Sequence, residues 1–287
     1  MNTTEPVEQY RADLLGVAGE PARFEVIQER IIAYAQATND VIPQHASGEY
    51  APPVFAIVPA IDVLIAAITG LVPARHLPRV VHGEHDFQFH APIRPGMTLQ
   101  TTATPMGIHQ KSSGVLAYGL AQTRDASTGE LLVEQHMSAF FRNADGSPSA
   151  GELPPSHAFE AALRESEPRA KVVQRFDEDQ TYRYSSASGD MMPQHLDDAV
   201  AKAAGLPGII IHGLCTMAFC SQAVIATACP QDPTHLARLA VRFSNIAFPG
   251  QIITTSLYDA SNGQLMFETV ADSGARIITD GLAEIRS

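Results

Sequence analysis

The sequence predicts an α+β fold of two tandem modules, each a long apolar helix with an antiparallel sheet wrapping it. Three observations lead there: the chain repeats itself, each copy orders its elements alike, and the composition suits a packed core. Of 287 residues, 45% are apolar and 17% charged, with 20 Gly and 20 Pro. That is too much apolar material for disorder and enough for one large domain or two smaller ones.

The repeat comes first, because it decides the architecture. Tyr34, Ala37, Asp40, Pro43, Gln44 and His45 recur as Tyr184, Ala187, Asp190, Pro193, Gln194 and His195, at a constant offset of 150. Phe89, Pro95 and Gly96 recur as Phe243, Pro249 and Gly250 at an offset of 154. Pro53 and Pro207 already share the larger offset, so the second copy carries four extra residues between His195 and Pro207. Two blocks in the same order mark two copies of one module.

Each copy reads as a Tyr-led element, a Pro-punctuated loop, then an apolar helix over Phe55–Leu71 or His212–Ala228. Alternating strands follow at Glu84–His90, Val115–Arg124 and Leu131–Phe141 in the first copy. In the second they fall at Leu239–Phe243, Ile252–Asp259, Gln264–Asp272 and Arg276–Ile285. A helix followed by a run of strands is an α+β pattern. Pro59 should kink the first helix or set its first turn. The Gly/Ser/Pro-rich stretch Asn143–Glu152 and the charged, weakly patterned Glu160–Gln180 read as a surface linker. The expected division is therefore 1–143, a linker over 144–180, and 181–287.

Charge and segment types narrow the function. With 31 acidic and 19 basic side chains the formal charge is −12, and no Lys/Arg cluster is present to neutralise phosphates, so no nucleic-acid partner is expected. Met1–Leu15 carries acids and no apolar run, so it does not read as a signal peptide. The apolar stretch Ile209–Cys229 is interrupted by His212, Gly213, Ser221 and Gln222; a buried helix is expected there, not a membrane span. Cys215, Cys220 and Cys229 are odd in number and lack CxxC spacing, which fits free thiols in a reducing cytoplasm. His82, His85, His90, His109 and His136 lack metal-ligand spacing, and no nucleotide-binding Gly motif occurs, so neither metal nor resident cofactor is expected.

The chemistry concentrates in the second copy. Asp190 and His195 stand five residues apart across a turn set by Gly189 and Pro193, so both can reach one water molecule. Read blandly, the same residues are a turn with an Asp cap and a surface histidine. His212-Gly213 opens the apolar helix, where N–H groups are unpaired and the dipole favours negative charge. A glycine there lets a ligand oxygen approach the backbone, as an oxyanion hole requires. Such a site suits adding water to a carbonyl-conjugated double bond, or removing it. Asp197 and Asp198 read as caps of the following Ala-rich helix. His212 either lines the site or completes the turn. Ser221 is a core hydroxyl or a site group, and Arg242 either pairs with an acid or binds a substrate phosphate.

Tyr184-x4-Gly189-Asp190-x2-Pro193-x-His195-x-Asp197, then Pro207-x4-His212-Gly213-Leu-Cys-Thr and Val241-Arg-Phe243, resembles the MaoC-like hydratase 2 family of (R)-specific enoyl-CoA hydratases and 3-hydroxyacyl-thioester dehydratases. The resemblance is close over 182–285 and fainter over 24–142. It implies a double hotdog, in which each half wraps a curved antiparallel sheet around a long helix. It further implies reversible hydration of a trans-2-enoyl thioester to the (3R)-hydroxyacyl product. Coenzyme A or a carrier-protein pantetheine would enter as part of the substrate. By that likeness Asp190 and His195 are the catalytic pair, the Gly213 N–H is the oxyanion donor, and Ser221 lines the site. Two positions depart from the family pattern: Met192 replaces its usual Asn, and Asn245 stands where Lys is frequent.

The first copy keeps Asp40 and His45, but Val58 and Pro59 occupy the places of His212 and Gly213. Proline has no N–H to donate, so this half is expected to be inactive and to widen the acyl tunnel. Two other activities remain open on the residues alone: an acyl-thioesterase, and a non-catalytic acyl-thioester-binding subunit. A homodimer is the default expectation for assembly.

Overall fold

A computed structural model describes residues 8–260 and 262–286. The reading of the N-terminal stretch rests partly on residues 1–7, outside the described ones. In chain order the elements begin with β1 (Ala22–Glu25), α1 (Gln28–Ala37), α2 (Pro43–Ala46), α3 (Ile61–Thr69), β2 (Val80–Phe89), β3 (Thr98–Lys111), β4 (Gly114–Asp125), β5 (Leu131–Arg142) and β6 (Ala150–Gly151). They continue with β7 (Ala170–Arg175), α4 (Gln180–Ser188), α5 (Asp198–Ala203), α6 (Gly213–Ala228), β8 (Leu236–Phe243), β9 (Ile252–Asp259), β10 (Leu265–Ala271) and β11 (Arg276–Ile285).

Two compact units form. The first takes the chain through Phe24, then Pro59–Phe87 and Thr98–Ser156. Its sheet runs in the order β1-β3-β4-β5-β2, and α3 packs on β3, β4 and β5 through Leu64 and Ile68. Gly119 on β4 makes room: a Cβ there would stand 3.1 Å from Ile68 Cγ1, tighter than ordinary contact. The expected helix over Phe55–Leu71 is broken into a 3₁₀ turn, Pro53–Ile57, and α3. Pro59 lies at the break, because it cannot donate to the preceding turn and its ring crowds it.

Strand β3, the longest of the described strands, was not anticipated. Its inward positions include Thr101, Ala103, Pro105 and Gly107, with a register shift between Pro105 and Gly107. Polar and small inward residues hide the alternation, and Thr101 is satisfied by the Thr123 hydroxyl across the ladder at 2.9 Å.

The second unit comprises Glu25–Val58, Gln88–Met97 and the chain from His157 on. Its sheet runs β8-β11-β10-β9-β7, all antiparallel, around α6, which touches β7, β8, β9 and β11. Leu214 to Ser221 are buried without interruption, as a helix enclosed on all sides requires. No described helix is long and apolar enough to cross a membrane.

The units do not follow the sequence copies. The Tyr-led helix α1 of the first copy packs on α4 of the second, within one unit. Tyr34 and Tyr184, equivalent across the repeat, bring their buried hydroxyls within 3.4 Å and their rings edge to face at 5.7 Å. Gln180 Nε2 donates to Ala37 O and Gln222 Nε2 to Thr38 O, closing the end of α1.

The expected linker over 144–180 is partly structure, which corrects that reading. β7 adds six residues to the edge of β9, with Lys171, Val173 and Arg175 facing outward. Solvent-facing charges on an edge strand blur its period, so it read as loop. Phe159 and Leu163 pack on Met266, Leu282 and Tyr258, and Arg164 holds Glu268 at 2.6 Å.

Candidate active site

Gly189 ends α4 with φ +84°, a left-handed conformation that a Cβ disfavours. The chain thereby turns sharply into Asp190, whose Oδ1 accepts the Met192 N–H at 3.1 Å. Pro193 opens the 3₁₀ turn Pro193–His195, which carries His195 inward to 8% exposure. Local turn chemistry thus brings both residues to one turn, and tertiary contacts then orient the imidazole.

The His195 ring is set by its partners. Nδ1 lies 2.8 Å from the Ile210 carbonyl, which can only accept; Nδ1 therefore carries the proton and Nε2 keeps its lone pair. Burial pushes the imidazole below its usual range, opposed by the Ile210 carbonyl and the Asp190 charge. It stays a neutral base at neutral pH.

His212 is 1% exposed and stacks on His195, with ring centroids 3.7 Å apart and planes at 21°. Its Nε2 lies 3.2 Å from the Asp190 backbone carbonyl and 3.2 Å from Ser185 Oγ, so Nε2 holds its proton. Burial, then repulsion from His195, pushes its pKa down to about 3. His212 therefore does more than complete a turn: its ring is a face of the site.

Gly213 starts α6 immediately after His212, and its N–H has no acceptor four residues back. The glycine serves a purpose that the sequence did not show. A Cβ there would stand 3.0 Å from Phe243 Cδ1 and Cε1, so the aromatic ring occupies the side-chain space. The Phe243 ring thus packs against the helix start, where the first N–H groups have no partner within the helix.

Asp190, His195 and His212 each bring a potential ligand atom within 4.8 Å of the others. An imidazole lone pair lies in the ring plane. An ion shared by two nearly parallel rings 3.7 Å apart would sit about half that spacing out of each plane.

The remaining expected site residues have partners of their own. Ser221 is buried and its Oγ donates to Ala218 O at 2.7 Å; eight residues past Gly213, it stands about 12 Å along the helix. Arg242 Nε pairs with Asp280 Oδ2 at 2.9 Å, the acid pairing left open by its place on an alternating strand. Asp280 also accepts the Phe159 N–H, so that pair anchors the segment preceding β7. Asp197 accepts from Ala199 and Val200 N–H as the cap of α5, and Asn245 donates to Arg276 O.

The first-copy dyad is closed on itself. His45 Nδ1 bonds Asp40 Oδ2 at 2.8 Å, both side chains are buried, and Asp40 Oδ1 takes the Ile42 N–H at 2.9 Å. Where His195 turns Nδ1 to a backbone carbonyl, His45 turns Nδ1 to the acid itself.

The profile of the MaoC like domain matches residues 160–278, and that of the MFE-2 hydratase 2 N-terminal domain matches 43–143. Together they take in more than two thirds of the chain. It belongs to the MaoC-like hydratase 2 family. Over 226 residues the chain is 27% identical to a probable enoyl-CoA hydratase 2 of Dictyostelium discoideum, 78% of this chain and 76% of that one. It is 28% identical over 282 residues to 3-hydroxyacyl-thioester dehydratase Y of Mycobacterium tuberculosis, covering 93% and 94% of the two. The solved MaoC-like dehydratase of Phytophthora capsici superposes with a TM-score of 0.84 at 23% identity, over 96% of this chain and 98% of that one. At that identity the likeness carries the fold, the double hotdog of this family.

Sequence reasoning missed Ser185, Ile210 and Phe243 as parts of this MaoC-like site. Ile210 acts through its carbonyl and has no side-chain signal. Ser185 sits on α4 beside Tyr184, and a helical reading of the Tyr-led block would have set it near Asp190.

Proposed function

We propose that the chain is a hydro-lyase that reversibly hydrates trans-2-enoyl thioesters to (3R)-hydroxyacyl thioesters. The observation that carries this is the pairing of an Asp190 carboxylate with a neutral, Nε2-basic His195 beside the free N–H that opens α6. Its relatives' names, enoyl-CoA hydratase 2 and 3-hydroxyacyl-thioester dehydratase, agree with it.

Hydration places OH on C3 and H on C2. The water supplies both, so a resting site with two bases and no acid is sufficient. One of the pair draws a proton from the water as its oxygen bonds C3, and that same proton reaches C2. Negative charge meanwhile gathers on the thioester oxygen as an enolate forms. The Gly213 N–H and the α6 terminus would hold it, a contribution of about 3–4 kcal/mol for one such donor in known oxyanion holes. Nothing in this sequence of steps calls on a resident cofactor; coenzyme A or pantetheine arrives with the acyl group. The copy-one half, with Pro59 lacking an N–H and its dyad closed, would shape the acyl tunnel. Three buried free cysteines accord with a reducing compartment such as the cytoplasm, although several relatives are named as peroxisomal.

The test is an assay on trans-2-enoyl-CoAs of several chain lengths. The conjugated absorbance should fade with (3R)-hydroxyacyl product and no free thiol. Thiol release without hydration would replace the proposal with a thioesterase; inertness toward every thioester would leave a binding subunit. Dialysis against a chelator is expected to leave the rate unchanged. A loss restored by Zn²⁺ would mean that the stacked rings part to hold an ion.

A further inference from the structure

We propose that His212 and Ser185 are positioning residues that hold both members of the Asp190–His195 pair in register; the kinetic part rests on the hydratase reading. His195 has one hydrogen bond to fix it, from Nδ1 to Ile210 O at 2.8 Å, and a single bond leaves the ring free to swing about that contact. The His212 face, 3.7 Å away, removes that freedom by stacking. His212 in turn is held from three sides: by Ser185 Oγ, by the Asp190 carbonyl, and by the Tyr184 ring at 4.9 Å. One imidazole thus touches the ring of the base and the backbone of the acid, and spaces one from the other.

The arrangement requires His212 to stay neutral. A charged ring would repel the protonated His195 formed during turnover, and burial of His212 prevents that. Ser185 is 1% exposed on α4, and α4 also ends in the Gly189 turn that presents Asp190. The serine therefore ties the start of α6 to the helix that carries the acid. Neither residue needs to touch the substrate for this.

Two measurements test it. Ser185→Ala keeps the helix and removes one anchor. It is expected to lower kcat about tenfold with KM within twofold and little change in melting temperature, since small displacements of an aligned base are costly. In ¹⁵N spectra of histidine-labelled protein, the wild-type His195 should show one tautomer protonated at Nδ1, and Ser185→Ala should broaden it into a mixture. An unchanged kcat with an unchanged His195 pattern would overturn the proposal, and a raised KM at constant kcat would assign these residues to substrate contact instead. The wild-type spectra stand by themselves if the variant fails to fold. His212 should remain protonated at Nε2 without titrating between about pH 5 and 8; titration in that range would refute the positioning role. Those spectra need no turnover, so an inactive wild type would count against the hydratase reading alone.

Discussion

Replacing Asp190 by Asn, or His195 by Asn, should lower kcat by about 10²- to 10⁴-fold, the range for a positioned acid–base group, with the fold intact. Each variant is chosen for what it retains. Asp190→Asn would keep an Oδ1 to accept the Met192 N–H, so the turn survives and only the carboxylate charge and its basic oxygen are lost. His195→Asn would place an amide nitrogen where Nδ1 sits, within reach of Ile210 O, and lose only the Nε2 lone pair. Retention of more than a tenth of wild-type kcat in both would remove the pair from the chemistry.

The pH profile separates the two histidines. His195 has its pKa lowered, chiefly by burial, so kcat should fall on the acid side with a midpoint below the ordinary 6.5. His212, held at about 3, should add no limb above that. His212 does act on stability. Its folded pKa lies below its unfolded one, so the unfolded chain binds more protons as the pH falls. The stabilisation is fully present above about 6.5 and is lost progressively toward pH 3.

What could be read from residues alone followed from locality. The dyad was legible because Gly189, Pro193 and the Asp190 side chain build their turn within seven residues. The helix over His212–Ala228 was legible because every face of α6 is apolar. β9 and β11 fall where alternation placed them. β3 was hidden by inward threonine, alanine, proline and glycine, and β7 by its outward charges. The division into units was illegible for another reason: identical offsets reveal copies, but not that α1 of one packs with α4 of the other. Even so the repeat held that answer in part, since Tyr34 and Tyr184 occupy the same place in their copies and meet. Gly213 shows the reverse case. The residue was singled out for ligand approach, whereas its side-chain space is filled by Phe243 from β8, thirty residues away.

The first-copy dyad gives the sharpest contrast with Asp190. Asp40→Ala should destabilise the protein by about 3–5 kcal/mol, as expected when one member of a buried pair is removed, and leave kcat at low temperature within twofold of wild type. The side chains of His45 and Asp40 are 2% and 1% exposed, so the deletion strands a buried imidazole and frees the Ile42 N–H together. Nothing in the pair is left over for a substrate: one carboxylate oxygen takes the backbone N–H and the other takes Nδ1. The same Asp-x4-His spacing is therefore engaged differently in the two copies, by which atom Nδ1 faces. In the second copy a backbone carbonyl from the segment just past the four extra residues receives Nδ1, and Asp190 takes the Met192 N–H on Oδ1 without pairing to that nitrogen. Thermal melts and turnover on one preparation distinguish the cases. A kcat loss of the Asp190→Asn size with an unchanged melting temperature would make the first copy a second active site.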